Sequence, residues 1–187
     1  MELVLGIVIG AVVVWVRGMV QRTQARVRAR QWDTTDAGNQ LRFLEDAELY
    51  PRKPINKEAF RTVFSVAERT LSSLPGKTRY RLLAEVAMGS FVGTSGGIGS
   101  QKAQDRAFAS FNSKRVDFLV IDAYGEPRLV IEYQGSGHYQ SDAVARDAVK
   151  RLALEQAGIP LLEIHEGATP AEVANKVRYW LGESRSG

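Results

Sequence analysis

The stretch R-V-D-F-L-V-I-D-A-Y-G-E-P-R-L-V-I-E-Y-Q-G-S-G-H, Arg115 to His138, decides the fold. Two apolar runs flank the short segment Ala123-Tyr124-Gly125-Glu126-Pro127, the signature of a β-hairpin. Folding the chain about the Tyr124–Gly125 bond sets Asp122 opposite Pro127 and Asp117 opposite Glu132. Directly opposed residues on antiparallel strands have Cβ atoms about 5 Å apart. Two carboxylates held that close repel unless a proton or a cation lies between them. A hard divalent cation with oxygen ligands suits such a pair. Gln134, two residues beyond Glu132, shares its face of the strand. His138 follows the small-residue turn Gly135-Ser136-Gly137. A slip of one residue in register would separate the acids.

Composition narrows the chemistry. The 187 residues leave room for one ordinary domain and an appendage. The chain has no cysteine and two histidines, His138 and His165. Disulfides, cysteine-based zinc sites and multi-histidine metal sites are therefore excluded. Any metal must be held mainly by carboxylates, carbonyls and water. The net charge of +4 is concentrated in Arg17, Arg22, Arg26, Arg28 and Arg30, and the remainder is close to neutral. Overall basicity is thus weak evidence for nucleic-acid binding.

Upstream, Leu3 to Val16 is an unbroken apolar run. Continued as a helix through Val20 it is about 27 Å long, close to the thickness of a bilayer core. The rival is a secretory signal peptide, which needs a positive start and a small-residue cleavage site. Here Glu2 follows Met1 and the positive residues come after the run. The expectation is a transmembrane anchor over residues 1–20 with its C-terminal side cytoplasmic. The arginines from Arg17 to Arg30 would then meet anionic lipid headgroups. Residues 21–53 read as a basic juxtamembrane segment and linker, and residues 54–187 as the folded domain.

Within that domain Asn56 is an N-cap for a helix carrying Phe60, Val63, Phe64, Ala67 and Leu71, ended by Pro75-Gly76. Alternation from Tyr80 to Met88 predicts a strand. Gly93–Gly99 lacks the phosphate-loop pattern and reads as a loop. Lys102–Asn112 predicts a short helix. After the hairpin, Ser141 begins a helix that Gly158 stops. A short strand over Ile159–Ile164 follows, and Pro160 places it at a start or an edge. Thr169-Pro170-Ala171-Glu172 is a capping box for a last helix carrying Val173, Val177, Trp180 and Leu181. The predicted fold is α/β, a mixed sheet flanked by helices.

This order, with the blocks V-D-F-L-V-I-D, V-I-E-Y-Q-G-S-G-H, A-R-D-A-V-K and A-G-I-P-L-L, resembles the PD-(D/E)xK restriction-endonuclease-like superfamily. The likeness runs from about Pro54 to Ile164. It is strongest to the bacterial domain of unknown function 2726, related to very-short-patch-repair-type endonucleases. The resemblance implies that Asp117 and Glu132 are metal-binding acids for Mg²⁺ or Mn²⁺. Glu58 is the candidate for a further helix acid, with Glu68 as runner-up. It also implies catalytic positions at Gln134, His138 and Lys150, with Asp147 a polar position on the same helix as Lys150. Gln134 stands where the superfamily has lysine, and Glu163 where relatives often have arginine. A glutamine can ligate or hydrogen-bond but has no charge to give.

The function so implied is metal-dependent phosphodiester hydrolysis in nucleic acid by a single-pass protein of the bacterial inner membrane. The alternative is a catalytically inactive nuclease-fold module that binds nucleic acid or protein there. Plainer uses exist for each residue. Asp117 and Glu132 could be solvated charges on an edge hairpin, and Glu58 an acid favouring its helix dipole. Asp147 and Arg151 have the spacing of a helix-surface ion pair. His138 could cap a turn, and His165 reads as a surface histidine. Phe60, Phe64, Phe108 and Phe111 read as core.

Overall fold

The computed structural model describes residues 2–74, 79–95, 99–135 and 141–183, without the side chains of 2–13, 28–30, 141–146 and Glu183. The chain divides into two compact units, Met1–Arg52 and Lys53–Gly187.

The first unit is helical. α1 (Glu2–Gln31) spans 30 residues and α2 (Ala37–Glu45) follows a short turn. Asp36 caps α2 by accepting the Asn39 N–H at 3.0 Å. The Arg42 guanidinium donates to the Gln31 carbonyl at 2.7 Å, which satisfies a terminal acceptor of α1. Trp32 and Phe43 stack with ring centroids 5.8 Å apart. Val14, Trp15, Val16, Met19 and Val20 on α1 are exposed. Among the described residues no helix is long and apolar enough to cross a membrane. For much of the apolar run behind the predicted anchor, Leu3–Val13, only the backbone is described.

The second unit is a four-stranded sheet in the order β1-β2-β3-β4, with β1 (Arg81–Ala87), β2 (Arg115–Ile121), β3 (Pro127–Gln134) and β4 (Leu161–His165). Both pairings of β2 are antiparallel. β3 and β4 run parallel, joined through α6 (Ser141–Gln156), so the sheet is mixed. The predicted element order holds throughout.

Each face of the sheet carries its own core. On one face α3 (Lys57–Ala59) passes through a π turn (Phe60–Phe64) into α4 (Ser65–Ser73). These pack with α7 (Pro170–Arg178) against Phe118, Val120, Leu129, Ile131, Tyr133, Leu162 and Ile164. On the other face α5 (Gln101–Phe111) and α6 cover Val116, Leu119 and Val130 with Phe111, Leu154 and Ile159. β3 is therefore buried on both sides, which explains its unbroken apolar run. Leu129, Val130 and Ile131 are 0% exposed, and each such side chain stabilises the fold by ~1.5–3 kcal/mol. The predicted core aromatics are mostly placed so, but Phe60 is 47% exposed and stacks on Phe64.

Local signals act where they were read. Asn56 accepts the Ala59 N–H at 2.8 Å. Thr169 and Glu172 form the reciprocal capping box. Gly158 follows α6 with φ 68°, a left-handed conformation that suits glycine. β4 begins at Leu161, directly after Pro160, and lies at a sheet edge.

The hairpin turn differs from its expected register. Phe118 pairs with Ile131 and Val120 with Leu129, but Ile121 then pairs with Pro127, because the register shifts between Val120 and Ile121. Asp122 therefore faces Glu126, whose carbonyl accepts the Asp122 N–H at 3.1 Å, and not Pro127. Two causes are visible. Pro127 has no N–H for a regular rung. The Asp122 carboxylate also gathers the N–H groups of Tyr124 and Glu126 at 2.9 and 3.0 Å, tightening the turn around itself. Beyond the shift, the register continues toward Asp117 and Glu132 as the sequence pattern predicts.

Candidate functional site

Asp117 lies where β2 and β3 begin to part. Phe118↔Ile131 is the last pair toward that end, and Asp117 and Glu132 are the next residues along. Instead of a backbone rung, the Asp117 carboxylate accepts the Tyr133 N–H at 2.7 Å. The acid is thereby tied to β3 beside Glu132. Across from it on β1, between the pairs Ala84↔Phe118 and Val86↔Val116, Glu85 has φ 55°. A left-handed conformation costs a non-glycine residue roughly 1–2 kcal/mol. Arg115 donates to the Glu85 carbonyl at 2.9 Å. After this kink Val86 joins a different core from Leu82 and Ala84. Nothing in the local sequence announces it, since glutamate is an ordinary strand-surface residue.

Glu132 is the centre of the site. The residue is 7% exposed, and its Oε1 is buried with no hydrogen-bond partner. Lys150 Nζ, arriving from α6, lies 2.9 Å from that oxygen as an ion pair. Burial pushes the Glu132 pKa up, and the Asp117 charge adds to this. Lys150 opposes both, and the balance leaves Glu132 at about 7. Lys150 also reaches Asp147 Oδ1 at 3.7 Å.

A second polar group adjoins the first on the same face. Gln134 donates to Glu163 Oε1 at 3.3 Å. Arg151 reaches the same oxygen at 2.5 Å. Glu132, Gln134 and Glu163 from the sheet, with Asp147, Lys150 and Arg151 from α6, line one small cleft with Leu154 and Leu161. The i, i+4 spacing of Asp147 and Arg151 does not produce a helix-surface pair. Arg151 bonds across to β4, and Asp147 faces Lys150.

The structure thus brings together Asp117, Glu132, Gln134 and Lys150 of the predicted set. Glu58 is not gathered with them. Its charge, with that of Glu166, acts on the Tyr133 phenol, whose pKa is raised first by burial and then by those acids. Glu68 lies elsewhere, beside Tyr80 and Arg81. His138 falls outside the described residues, and His165 is exposed. Among the described residues no three His, Asp or Glu side chains converge as metal ligands. The available oxygens are therefore those of two carboxylates. That is a donor set Mg²⁺ accepts, since it keeps several waters and uses one or two carboxylates together with substrate phosphate. The buried Oε1 of Glu132 fits such a use, because it has lone pairs to give and its neighbour, the Lys150 ammonium, is on a flexible stem. Sequence reasoning missed Arg151–Glu163 and Asp122–Arg128. A lone Glu163 within the mostly apolar strand Leu161–His165 is the signal for the first, since a charge in a buried strand requires a partner.

Fold and site define a class, a helix-flanked mixed α/β domain whose central hairpin strand carries a buried, incompletely satisfied carboxylate. Residues 52–179 match the family described as "Protein of unknown function (DUF2726)", and the chain belongs to that family. A Haemophilus influenzae protein is 40% identical over 124 residues, covering 66% of this chain and 60% of that protein. A Sinorhizobium fredii protein is 38% identical over 99 residues, covering 52% of this chain and 66% of that protein. Both are named only as uncharacterized proteins. The chain thus spans roughly 60–66% of the length of these relatives. No solved structure matches the chain.

Proposed function

We propose that this protein is a metal-dependent nuclease of PD-(D/E)xK type that hydrolyses phosphodiester bonds in nucleic acid. We further propose that residues 3–20 anchor it in the bacterial inner membrane, with Arg17–Arg30 at anionic headgroups and the C-terminal domain cytoplasmic. Its kinship would be with very-short-patch-repair-type endonucleases. One observation carries the reading: Glu132 is buried beside Asp117, and its Oε1 faces a single mobile ammonium, that of Lys150 at 2.9 Å. A protein keeps such an atom at a cost, and functional sites are where such costs concentrate.

Asp117 and Glu132 would hold Mg²⁺ or Mn²⁺. When bound, the ion supplies Lewis acidity toward phosphate and lowers the pKa of water. Asp117 stays fixed for this role through its bond from the Tyr133 N–H. Gln134 carries no charge and spends its amide on Glu163. The ammonium that β3 lacks comes instead from α6, as Lys150, and offsets negative charge developing on the phosphate. His138 is proposed to move a proton.

A second reading keeps the fold without the chemistry, as a membrane-tethered module binding nucleic acid or protein. The engaged amide of Gln134 and the absence of a third converging acid among the described residues favour it. One experiment separates the two. The whole chain in detergent is incubated with labelled DNA and RNA, with and without Mg²⁺ or Mn²⁺. Cleavage that needs the ion and falls at least ~100-fold in Asp117→Ala supports the nuclease. Cleavage that survives Asp117→Ala rules out this site. Binding without cleavage in wild type selects the second reading.

A further inference from the structure

We propose that Lys150 is an exchangeable counter-ion of the carboxylate pair: it neutralises Glu132 in the metal-free protein and swings to Asp147 when a divalent cation binds. This rests on reading Asp117 and Glu132 as a metal pair. The geometry supplies both positions. Lys150 Nζ is 2.9 Å from Glu132 Oε1 and 3.7 Å from Asp147 Oδ1. Asp147 is on the same helix, one turn away, so the handover needs only rotation of the flexible lysine stem.

The two positions differ in solvation. The Glu132 side chain is 9% exposed and that of Asp147 is 29% exposed. Holding an ammonium at the drier acid costs more desolvation. A divalent ion at the same carboxylate brings twice the charge and repels the ammonium. The next cation along α6 takes no part, because Arg151 is already committed to Glu163. Glu163 is for the same reason a poor destination for Lys150.

Lys150 therefore weakens metal binding in the resting protein, and at Asp147, which lines the same cleft, it stays beside the site for its role toward phosphate. Mn²⁺ binding to the whole chain in detergent, followed by calorimetry at alkaline pH, tests this. Lys150→Met is expected to bind Mn²⁺ about tenfold more tightly than wild type, because a neighbouring positive charge is gone. Asp147→Asn is expected to bind about threefold more weakly, because the lysine loses its second seat. In the Lys150→Met background Asp147→Asn should then have a smaller effect, that of its charge at Glu132 alone, whereas a direct ligand role for Asp147 would keep its full effect. A measurement on wild type guards against a variant that fails to fold. Reductive methylation of Lys150, read by mass spectrometry, should speed up when Mn²⁺ is added and should not in Asp117→Asn. Equal or weaker Mn²⁺ binding by folded Lys150→Met, or a methylation rate that Mn²⁺ leaves unchanged or slows, overturns the proposal. Wild type that binds no Mn²⁺ through Asp117 and Glu132 overturns the metal reading along with it.

Discussion

Two carboxylates at opposite ends of one hairpin are buried alike and treated in opposite ways. Asp122, at the turn, is 3% exposed, and Glu132, near the far end, is 7% exposed. At Asp122 burial opposes ionisation. Bonds from Arg128 and from the Glu126 and Tyr124 N–H groups outweigh it, holding the pKa below the usual range. At Glu132 burial and Asp117 prevail over Lys150, and the pKa rises to about 7. The first acid is satisfied on both oxygens and builds a turn. The second has one oxygen that meets only the flexible Lys150 ammonium among the described residues. Low solvent exposure thus says little about a carboxylate's task, and the depth of burial and the donors around it say a great deal.

The contrast breaks first, and hardest, at the turn. Asp122→Ala removes the acceptor of two backbone N–H groups and leaves the Arg128 guanidinium without its partner. It should lower the melting temperature more than Arg151→Ala does, with Mn²⁺ binding retained in the fraction that folds. A melt indistinguishable from wild type would show that the turn does not depend on this acid.

Glu132→Gln should act with the opposite sign. A carboxyl whose folded pKa is raised binds its proton more tightly in the folded state. Glu132 therefore favours folding below its ordinary value of 4.5, and that contribution is lost as pH rises through about 7. The displacement is worth on the order of 3 kcal/mol in the metal-free protein at alkaline pH. Glu132→Gln should accordingly raise the alkaline melting temperature, with the gain fading toward pH 4.5, while abolishing Mn²⁺ binding. Thermal melts across pH with chelator present check the sign. Destabilisation at alkaline pH would mean that Glu132 is a structural acid like Asp122.

The smallest effect is expected at the edge of the cleft. The Arg151 side chain is 55% exposed, so its bond to Glu163 is screened, and Arg151→Ala should cost about 0.5 kcal/mol. A larger loss would show that the Gln134–Glu163–Arg151 group supports the sheet rather than the cleft.

Much of the fold was legible in residues that act locally. Asn56, Thr169 with Glu172, Gly158 and Pro160 mark element ends by backbone chemistry that needs no distant partner. Alternation and apolar runs assigned the strands, because burial on one or both faces imposes a period that can be read directly. The register expected from hairpin geometry held from Phe118↔Ile131 to Val120↔Leu129, up to the residues next to Asp117 and Glu132. It failed at Asp122, where a side chain competes with the backbone for the turn. The site was less legible. Resemblance pointed to Lys150 and Glu58 alike, and the fold places only Lys150 at the pair.

By itself, then, the sequence determined the elements, their order, the hairpin and the nearness of two acids, because these depend on neighbours along the chain. Only the tertiary structure decided which of those acids would be tied to the backbone and which would face a side-chain ammonium. That depends on where α6 lies over the sheet, which sets Lys150 against Glu132 and Arg151 against Glu163. It depends also on the strained kink at Glu85 beside Asp117, where packing of two cores on one sheet overrides the preference of a single residue.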